Sequence, residues 1–256
     1  MPSDRQPRPA AQAASTAGAA TIPLAWIIAP LGVVVGLGIL DKTGLDVGIS
    51  NWFYDPSIHG FPLRDSFLLD AVMHHWAKYL VILLTSLAAA AFAFTYLVPE
   101  LREQRRLLLF ITLAMALAPL AVTALKQVTD RPCPWDLAEF GGAEPYTHLF
   151  ESRGNNHARG LCFPAGHAST GFALLALFFA AHHRRRARLA RIALMAGILA
   201  GLLLGGGRIV QGAHFLSHVL WSGVVCWLVM VLLYALLLRP GGASAADTAQ
   251  AAVLRN

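Results

Sequence analysis

Long runs of apolar residues alternate with shorter polar segments along most of the chain. A run of about 20 apolar residues, folded as a helix, is long enough to cross the hydrocarbon core of a bilayer. Six runs approach this length, and the fourth does so only if Leu161–His167 contributes. The pattern therefore predicts an all-α fold, a polytopic membrane protein with six transmembrane helices in a bundle. The predicted spans are Thr21–Leu40, Tyr79–Val98, Leu107–Leu125, Ala168–Ala181, Ile192–Gly207 and Val219–Leu238.

The polar segments divide the chain into one membrane domain and two tails. Residues 1–20 are rich in Ala, Pro, Gln and Ser, which is typical of disorder, and residues 239–256 are also expected to be disordered. Residues 21–238 form the predicted six-span domain. Within it, residues 41–72 contain several aromatic residues and are expected to lie at the membrane interface. Residues 126–166 form a long polar loop.

The composition excludes a soluble domain, because 56% of the residues are hydrophobic and only 13% are charged, against about 25% charged in soluble proteins. The net charge is +6, but the basic residues are not clustered on a soluble element, so no nucleic-acid partner is predicted.

The distribution of the basic residues predicts the orientation. Six spans place both termini on one side, and 12 of the 20 Lys and Arg residues lie there, most of them in the short loops 99–106 and 182–191. Basic residues are enriched in cytoplasmic loops. The termini are therefore predicted to be cytoplasmic, in a bacterial inner membrane. The loop 126–166 and the segment Arg208–His218 would then share the periplasmic face.

Cationic and histidine side chains meet at this predicted outer face. Three permanent positive charges suit a phosphoryl group, whose oxygens accept charge-assisted hydrogen bonds. Phosphoryl transfer needs mainly positioning and charge stabilisation, and histidine serves as nucleophile or as proton donor. The candidate residues are Lys126, Arg131, His167, Arg208, His214 and His218.

A turn at Phe163–Ser169 leads into the fourth predicted span. Helix N-termini present free N–H groups to anions. Gly166 and His167 lie at this position, so the turn is predicted to contact the same anion.

Three sequence blocks resemble the type 2 phosphatidic acid phosphatase family, a group of lipid phosphatases that is related to the haloperoxidases. The family's motifs are Lys-x6-Arg-Pro, Pro-Ser-Gly-His and Ser-Arg-x5-His-x3-Asp. The resemblance covers roughly residues 70–238, in the expected order. The matching blocks are Lys126 ahead of Arg131-Pro132, then Pro164-Ala165-Gly166-His167, then Gly207, Arg208, His214 and His218.

The resemblance implies a role for each matched residue. His214 would be the nucleophile that forms a phosphohistidine, and His167 would protonate the leaving group. The Gly166 amide would assist, and no metal or other cofactor is implied. The phosphoryl oxygens would be held by Lys126, Arg131 and Arg208.

The chain departs from the family pattern at three points. The Lys–Arg spacing is two residues shorter, which requires the helix to end soon after Lys126. Ala165 lacks the hydroxyl of the family's serine. His218 stands where the family has the aspartate that orients the nucleophilic histidine. An acid of the 126–166 loop, or His218 itself, is expected to replace it. The candidate acids are Asp130, Asp136 and Glu139.

Other interpretations of these residues stay open. The i, i+4 spacing of His214 and His218 also fits a pair of metal ligands. Cys133 and Cys162 lie beside the first two blocks and would form a disulfide in an oxidising periplasm, the alternative being two free thiols. The loop stretch 135–142 is amphipathic and is interpreted as a lid over the site.

The sequence thus predicts a membrane lipid phosphatase that is metal-independent and hydrolyses a phosphomonoester or pyrophosphate of a lipid head group. Candidate substrates are phosphatidic acid, phosphatidylglycerol phosphate, undecaprenyl pyrophosphate and lipid A phosphates. One alternative is a phosphotransferase from a polyprenyl pyrophosphate to another lipid. Another is a non-catalytic protein that binds or transports lipid phosphates. The sequence does not select the lipid or the oligomeric state.

Overall fold

The computed structural model describes residues 22–154 and 157–238. The two predicted tails, 1–20 and 239–256, lie outside the described residues. About 70% of the chain is helical, and across the described ranges the β-pairing consists of isolated bridges in the loops. The predicted all-α fold is confirmed.

The helices follow one another with short connections. A π-helix at Asp70–Trp76 joins α3 to α4, and a 3₁₀ turn at Pro99–Gln104 leads into α5. The α-helices are α1 (Ala25–Thr43), α2 (Leu45–Asn51), α3 (Phe67–Leu69), α4 (Ala77–Phe94), α5 (Arg105–Val128), α6 (Gly166–Phe172), α7 (Leu175–His183), α8 (Ala187–Val210) and α9 (Leu216–Leu237).

Within the described residues, five helical segments are long and apolar enough to cross a bilayer: α1, α4, α5 with its preceding 3₁₀ turn, α8 and α9. Many of their Leu and Ile side chains are exposed, as expected where lipid is the solvent. The protein is therefore a multi-pass membrane protein, while the predicted count of six spans is not confirmed. The difference lies in the fourth predicted span.

That span is divided into two short helices that pack inside the bundle. A break near Ala173–Leu174 separates α6 from α7, and neither helix alone is long enough to cross a bilayer. A Cβ added at Gly171 would lie 2.5 Å from the backbone of Ala200, so α6 touches α8 with no intervening side chain. The pair supports the core of the bundle.

An aromatic cluster holds the first and last spans together. The Trp26 ring on α1 lies 4.7 Å from the Phe179 ring and 5.0 Å from the Tyr234 ring, centroid to centroid. The indole Nε1–H of Trp227 on α9 donates a hydrogen bond of 2.8 Å to the carbonyl of Trp26. This contact satisfies the polar N–H of the Trp227 side chain inside the bundle.

The stretch 135–142 packs inward, and its interpretation as an amphipathic lid is not supported. Leu137 and Phe140 are buried and form a cluster with Phe61 and Phe215, against which Trp135 also packs. The apolar side chains of this stretch therefore build a core above the helix ends instead of facing the membrane.

Candidate active site

The turn between α8 and α9 positions the third sequence block. Gly212 has a left-handed backbone (φ 72°), and a Cβ there would lie 2.3 Å from the Phe61 ring, so glycine is required twice over. The turn is closed by a hydrogen bond of 2.9 Å from the Ala213 N–H to the Arg208 carbonyl. Arg208 thus ends one helix while His214 precedes the next.

The first block lies at the end of α5. This helix ends at Val128, two residues after Lys126, as the shortened Lys–Arg spacing requires. Thr129 then turns the chain into an extended conformation, and its hydroxyl donates to the carbonyl of Phe163. The α5 end is thereby tied to the residues that precede α6.

The second block is tied to both of the others. Cys133 and Cys162 are joined by a disulfide bond with a Cα–Cα distance of 5.1 Å. The Ala165 N–H donates a hydrogen bond of 3.1 Å to the carbonyl of His218. The Ser222 hydroxyl donates one of 2.9 Å to the carbonyl of Ala165. Gly166 and His167 therefore begin α6 directly beside the start of α9.

These ties bring most of the predicted residues to one place. His214 is only 2% exposed, and four neighbours are close enough for their charges to act on it. Burial, and then the charges of these neighbours, lower the pKa of His214 well below its ordinary value, so its imidazole is neutral at neutral pH. The neighbours are His218, Lys126, His167 and Arg208.

Two permanent cations lie beside the neutral ring. Lys126 and Arg208 are close enough to interact electrostatically with each other. Arg208 donates 2.8 Å from Nη1 to Gln211 Oε1 and lies 3.8 Å from the carboxylate of Asp70, and its side chain is 14% exposed. Two partly covered cations of like charge form a site that favours an anion between them.

Arg131 is directed elsewhere. Its guanidinium donates to Thr147 Oγ1 at 2.9 Å and to the carbonyls of Leu149 and Glu151, both at 2.5 Å. It is close enough to His218 for an electrostatic interaction. The structure thus places Arg131 at the edge of the site, where it holds the loop, and its binding to phosphate stays a prediction.

His218 is buried beside the second block. It is 5% exposed, its ring hydrogen-bonds to the backbone of Cys162, and the Phe163 ring lies 5.2 Å away. The His214 and His218 ring centroids are 5.9 Å apart. The Nδ1 atoms of both rings are buried and have no hydrogen-bond partner among the described residues.

The loop acids proposed as replacements for the missing aspartate have other partners or positions. Asp130 accepts hydrogen bonds of 2.7 Å from Arg153 and from the Gly160 N–H. Asp136 accepts 3.2 Å from the Cys133 N–H, and Glu139 lies on the exposed surface. The hypothesis that one of these acids orients His214 is therefore not supported.

Sequence reasoning missed a carboxylate at the base of the site. Asp46 on α2 is 3% exposed and accepts a hydrogen bond of 3.0 Å from the Ser217 N–H in the first turn of α9. Burial raises its pKa, although hydrogen bonds from Ser217 oppose the shift. Asp46 and His218 line the same small pocket of about 20 Å³. Nothing in the sequence marks Asp46, because this contact joins residues 171 positions apart.

Arg153 was also missed. Its side chain is 1% exposed and pairs with Asp130 at 2.7 Å and Glu144 at 2.5 Å. This ion cluster holds the loop against the end of α5. An arginine in a polar loop gives no sequence signal of burial.

The metal interpretation gains no third ligand for His214 and His218. In the part of the chain that the structure describes, the one close group of three metal-ligand types is Cys133, Asp136 and Cys162. Its two sulfurs are joined in the disulfide.

Comparisons with known proteins agree with the three sequence blocks. The PAP2 superfamily matches residues 107–240, which is more than half of the chain. The chain is similar to a lipid A 4'-phosphatase of Francisella tularensis subsp. novicida (strain U112), with 27% identity over 199 residues that cover 76% of this chain and 87% of that protein. No solved structure matches the chain. The predicted relationship is confirmed, and the chain belongs to the PAP2 superfamily of type 2 phosphatidic acid phosphatases.

Proposed function

We propose that this protein is a membrane lipid phosphatase that hydrolyses a phosphomonoester or pyrophosphate of a lipid head group. The observation that carries the proposal is the buried, neutral His214 beside His167 and the two cations Lys126 and Arg208. Membership of the PAP2 superfamily and the name of the similar protein support the same chemistry. That name also makes lipid A phosphates the first substrates to test.

The proposed reaction has two steps. A ring nitrogen of His214 attacks the phosphorus, the bond from phosphorus to the leaving oxygen breaks, and protonated His167 gives that oxygen its proton. Water then attacks the phosphohistidine, His167 takes the proton of the water, and phosphate leaves with the His214 ring restored. Lys126 and Arg208 stabilise the charge on the phosphoryl oxygens in both steps, and the Gly166 N–H assists.

The depressed pKa of His214 supports the nucleophilic role. A histidine is nucleophilic only when neutral, and burial among positive charges lowers the pKa of His214. The neutral ring has one unprotonated nitrogen with a free lone pair, so no separate base is needed to activate it.

The orientation belongs to the same proposal. The Arg-rich loops at 99–106 and 182–191 favour a cytoplasmic location for the α4–α5 and α7–α8 connections. This orientation requires α6 and α7 together to cross the bilayer once. The Cys133–Cys162 disulfide supports an oxidising compartment for the opposite face. We therefore place the site at the periplasmic face of a bacterial inner membrane.

The non-catalytic alternative is favoured by one observation. The family's orienting aspartate is replaced by His218, and Nδ1 of His214 has no partner within the described structure. A protein that binds lipid phosphate without turnover would keep the cations and lose this contact.

The test is phosphate release by the purified protein from a panel of lipid phosphates in detergent micelles. We expect the wild type to release phosphate and His214→Ala to lose at least about 10³-fold in turnover. His182→Ala, at the exposed far end of α7, is the control and should keep full activity. Equal release by wild type and His214→Ala would contradict the proposal. Binding without any release, and without acid-labile phosphate trapped on His214, would select the non-catalytic alternative, and transfer to an added acceptor lipid would select the phosphotransferase.

A further inference from the structure

An open cleft lies beside Arg208, outside the cluster around His214. Its volume is about 510 Å³, within the range of about 300–1,000 Å³ for small-molecule sites. A phosphoryl group alone does not need this space. The lining residues that the argument uses are Arg64, Asp65, Asp70, Trp135 and Arg208.

The cleft is connected to the catalytic turn by hydrogen bonds. Gln211 is fully buried, accepts a hydrogen bond of 2.8 Å from Arg208 and donates one of 3.2 Å to the carbonyl of Arg64. The backbone N–H of Trp135 donates a hydrogen bond of 3.0 Å to the carbonyl of Gly212. The wall of the cleft is therefore joined by hydrogen bonds to Arg208, the residue that would bind the phosphoryl group.

The charges in the cleft are of both signs. The guanidiniums of Arg64 and Arg208 lie over the same indole ring of Trp135, 4.6 and 5.7 Å from its centroid. The carboxylates of Asp65 and Asp70 line the same space. A second phosphate would meet these two acids and be repelled by them.

Hydroxyl groups suit the cleft better, because each donates to a carboxylate and accepts from a guanidinium. The indole of Trp135 offers an apolar surface to the C–H groups of a ring that carries such hydroxyls. A polar cleft with one aromatic wall and charges of both signs thus matches a hydroxyl-rich ring.

The position of the cleft matches that of a lipid head group. Asp70 begins the π-helix that leads into the span α4. Phe67 is 85% exposed and Trp76 is 71% exposed on either side of it. Exposed aromatic residues at the end of a span lie at the level of the head groups.

We infer that this cleft binds a sugar ring adjoining the phosphate that is hydrolysed, so that the preferred substrates are phosphorylated glycolipids. The inference rests on the proposed function and adds the part of the head group that Arg64, Trp135 and the two acids recognise.

The experiment compares lipid A with phosphatidic acid of similar chain length in the same micelles. The variants are Arg64→Ala and Asp65→Asn, both exposed positions whose loss does not empty the core, with the exposed Arg102→Ala as control. We expect Arg64→Ala to lower kcat/KM for lipid A about 10-fold, the worth of one charge-assisted hydrogen bond, and Asp65→Asn to act in the same direction. The kcat/KM for phosphatidic acid should change by less than about two-fold.

A binding measurement separates this inference from the proposed function. Calorimetric titration of lipid A into His214→Ala protein, with and without Arg64→Ala, should show the same loss of about 10-fold in affinity without any turnover. If no lipid is hydrolysed but this loss is found, the proposed function fails, while the assignment of the cleft as a sugar-binding site stands. If phosphatidic acid is hydrolysed and Arg64→Ala affects both lipids equally, or neither, the inference is overturned.

Discussion

His214 is buried among positive charges, and its burial first and these charges second lower the pKa of its ring, which sets the pH at which it can act as a nucleophile. Removal of one cation would relax the depression of its pKa. Lys126 is the permanent charge with the largest effect on the pKa of His214.

We predict that Lys126→Met lowers kcat/KM by about 10²-fold, because one charge on the transferred group is left uncompensated. It should also move the acidic limb of the pH–rate profile to higher pH, since the pKa of His214 rises when a neighbouring positive charge is removed. Initial rates in micelles over a range of pH measure both effects. Lys78→Met, at an exposed position, is the matched control, and an unshifted acidic limb in Lys126→Met would contradict the assignment.

Arg153 is a buried arginine whose two ion pairs hold the loop in place. We predict that Arg153→Met destabilises the protein by about 2–3 kcal/mol, because it leaves the covered carboxylate of Glu144 with only His157 and the Ala158 N–H as partners. The ion pair between Arg153 and Asp130 adds little to this loss of stability, because the Asp130 side chain is 43% exposed and solvent screens the pair. Thermal unfolding in detergent measures the change. The exposed Arg159→Met serves as control, and equal melting temperatures for the two variants would refute the prediction.

At the scale of single elements, the start of α9 depends on a carboxylate from another helix. Asp46→Ala should cost about 1–2 kcal/mol, as the loss of a helix cap does, because the Ser217 N–H loses its acceptor. Asp46→Asn keeps an acceptor oxygen and should be close to neutral.

The same pair of variants has a signature in pH. Burial raises the pKa of Asp46, so the folded state binds its proton more tightly than the unfolded state does. The wild type should therefore lose stability as pH rises from the ordinary aspartate value toward the raised one. Asp46→Asn should lose this part of the pH dependence in urea titrations. If Asp46→Asn kept the pH dependence of the wild type, the pKa of Asp46 would not differ between the folded and unfolded states, and the prediction would fail.

Helix α6 provides a second test at this scale, because it touches α8 through a glycine. We predict that Gly171→Ala destabilises the bundle by about 1–3 kcal/mol, since its Cβ would lie 2.5 Å from the Ala200 backbone. Gly206→Ala, where the new Cβ meets nothing within 4 Å, should be neutral or stabilise by up to about 1 kcal/mol. Denaturation of both variants in the same detergent would settle the contrast, and a tolerated Gly171→Ala would mean that the two helices can separate.

The helix ends show which parts of the fold were predictable. The apolar runs predicted the long helices to within a few residues. The shortened Lys126–Arg131 spacing predicted that α5 ends soon after Lys126, and it ends at Val128. The break near Ala173–Leu174 was not predictable, because it is set by contact with α8 and not by a proline or a polar residue. Within the site, the sequence blocks located His167, Lys126, Arg208 and His214. They gave no signal of Asp46, whose partner is distant along the chain.

At the scale of the whole molecule, the disulfide joins two of the three sequence blocks across the loop. We predict that replacing Cys133 and Cys162 together by Ser lowers stability by about 3 kcal/mol, the range expected when a loop of this length is opened. Phosphatase activity should fall in parallel as His167 loses its support. Cys226→Ser, at the buried free cysteine, tests the effect of thiol removal alone. Full activity and an unchanged melting temperature in the double variant would contradict the prediction.

The hydrogen bond between Trp227 and Trp26 also has a consequence for biogenesis. The partners are 201 residues apart, so α1 leaves the ribosome about 10–40 s before the helix that completes its contacts, at about 5–20 residues per second. During that interval α1 lies in lipid while the carbonyl of Trp26 lacks its hydrogen bond from Trp227 and the Trp26 ring lacks its contact with Tyr234. The bundle is therefore closed only after synthesis of the last span, and truncation before Trp227 would leave the first helix inserted but unassembled, open to quality-control proteolysis.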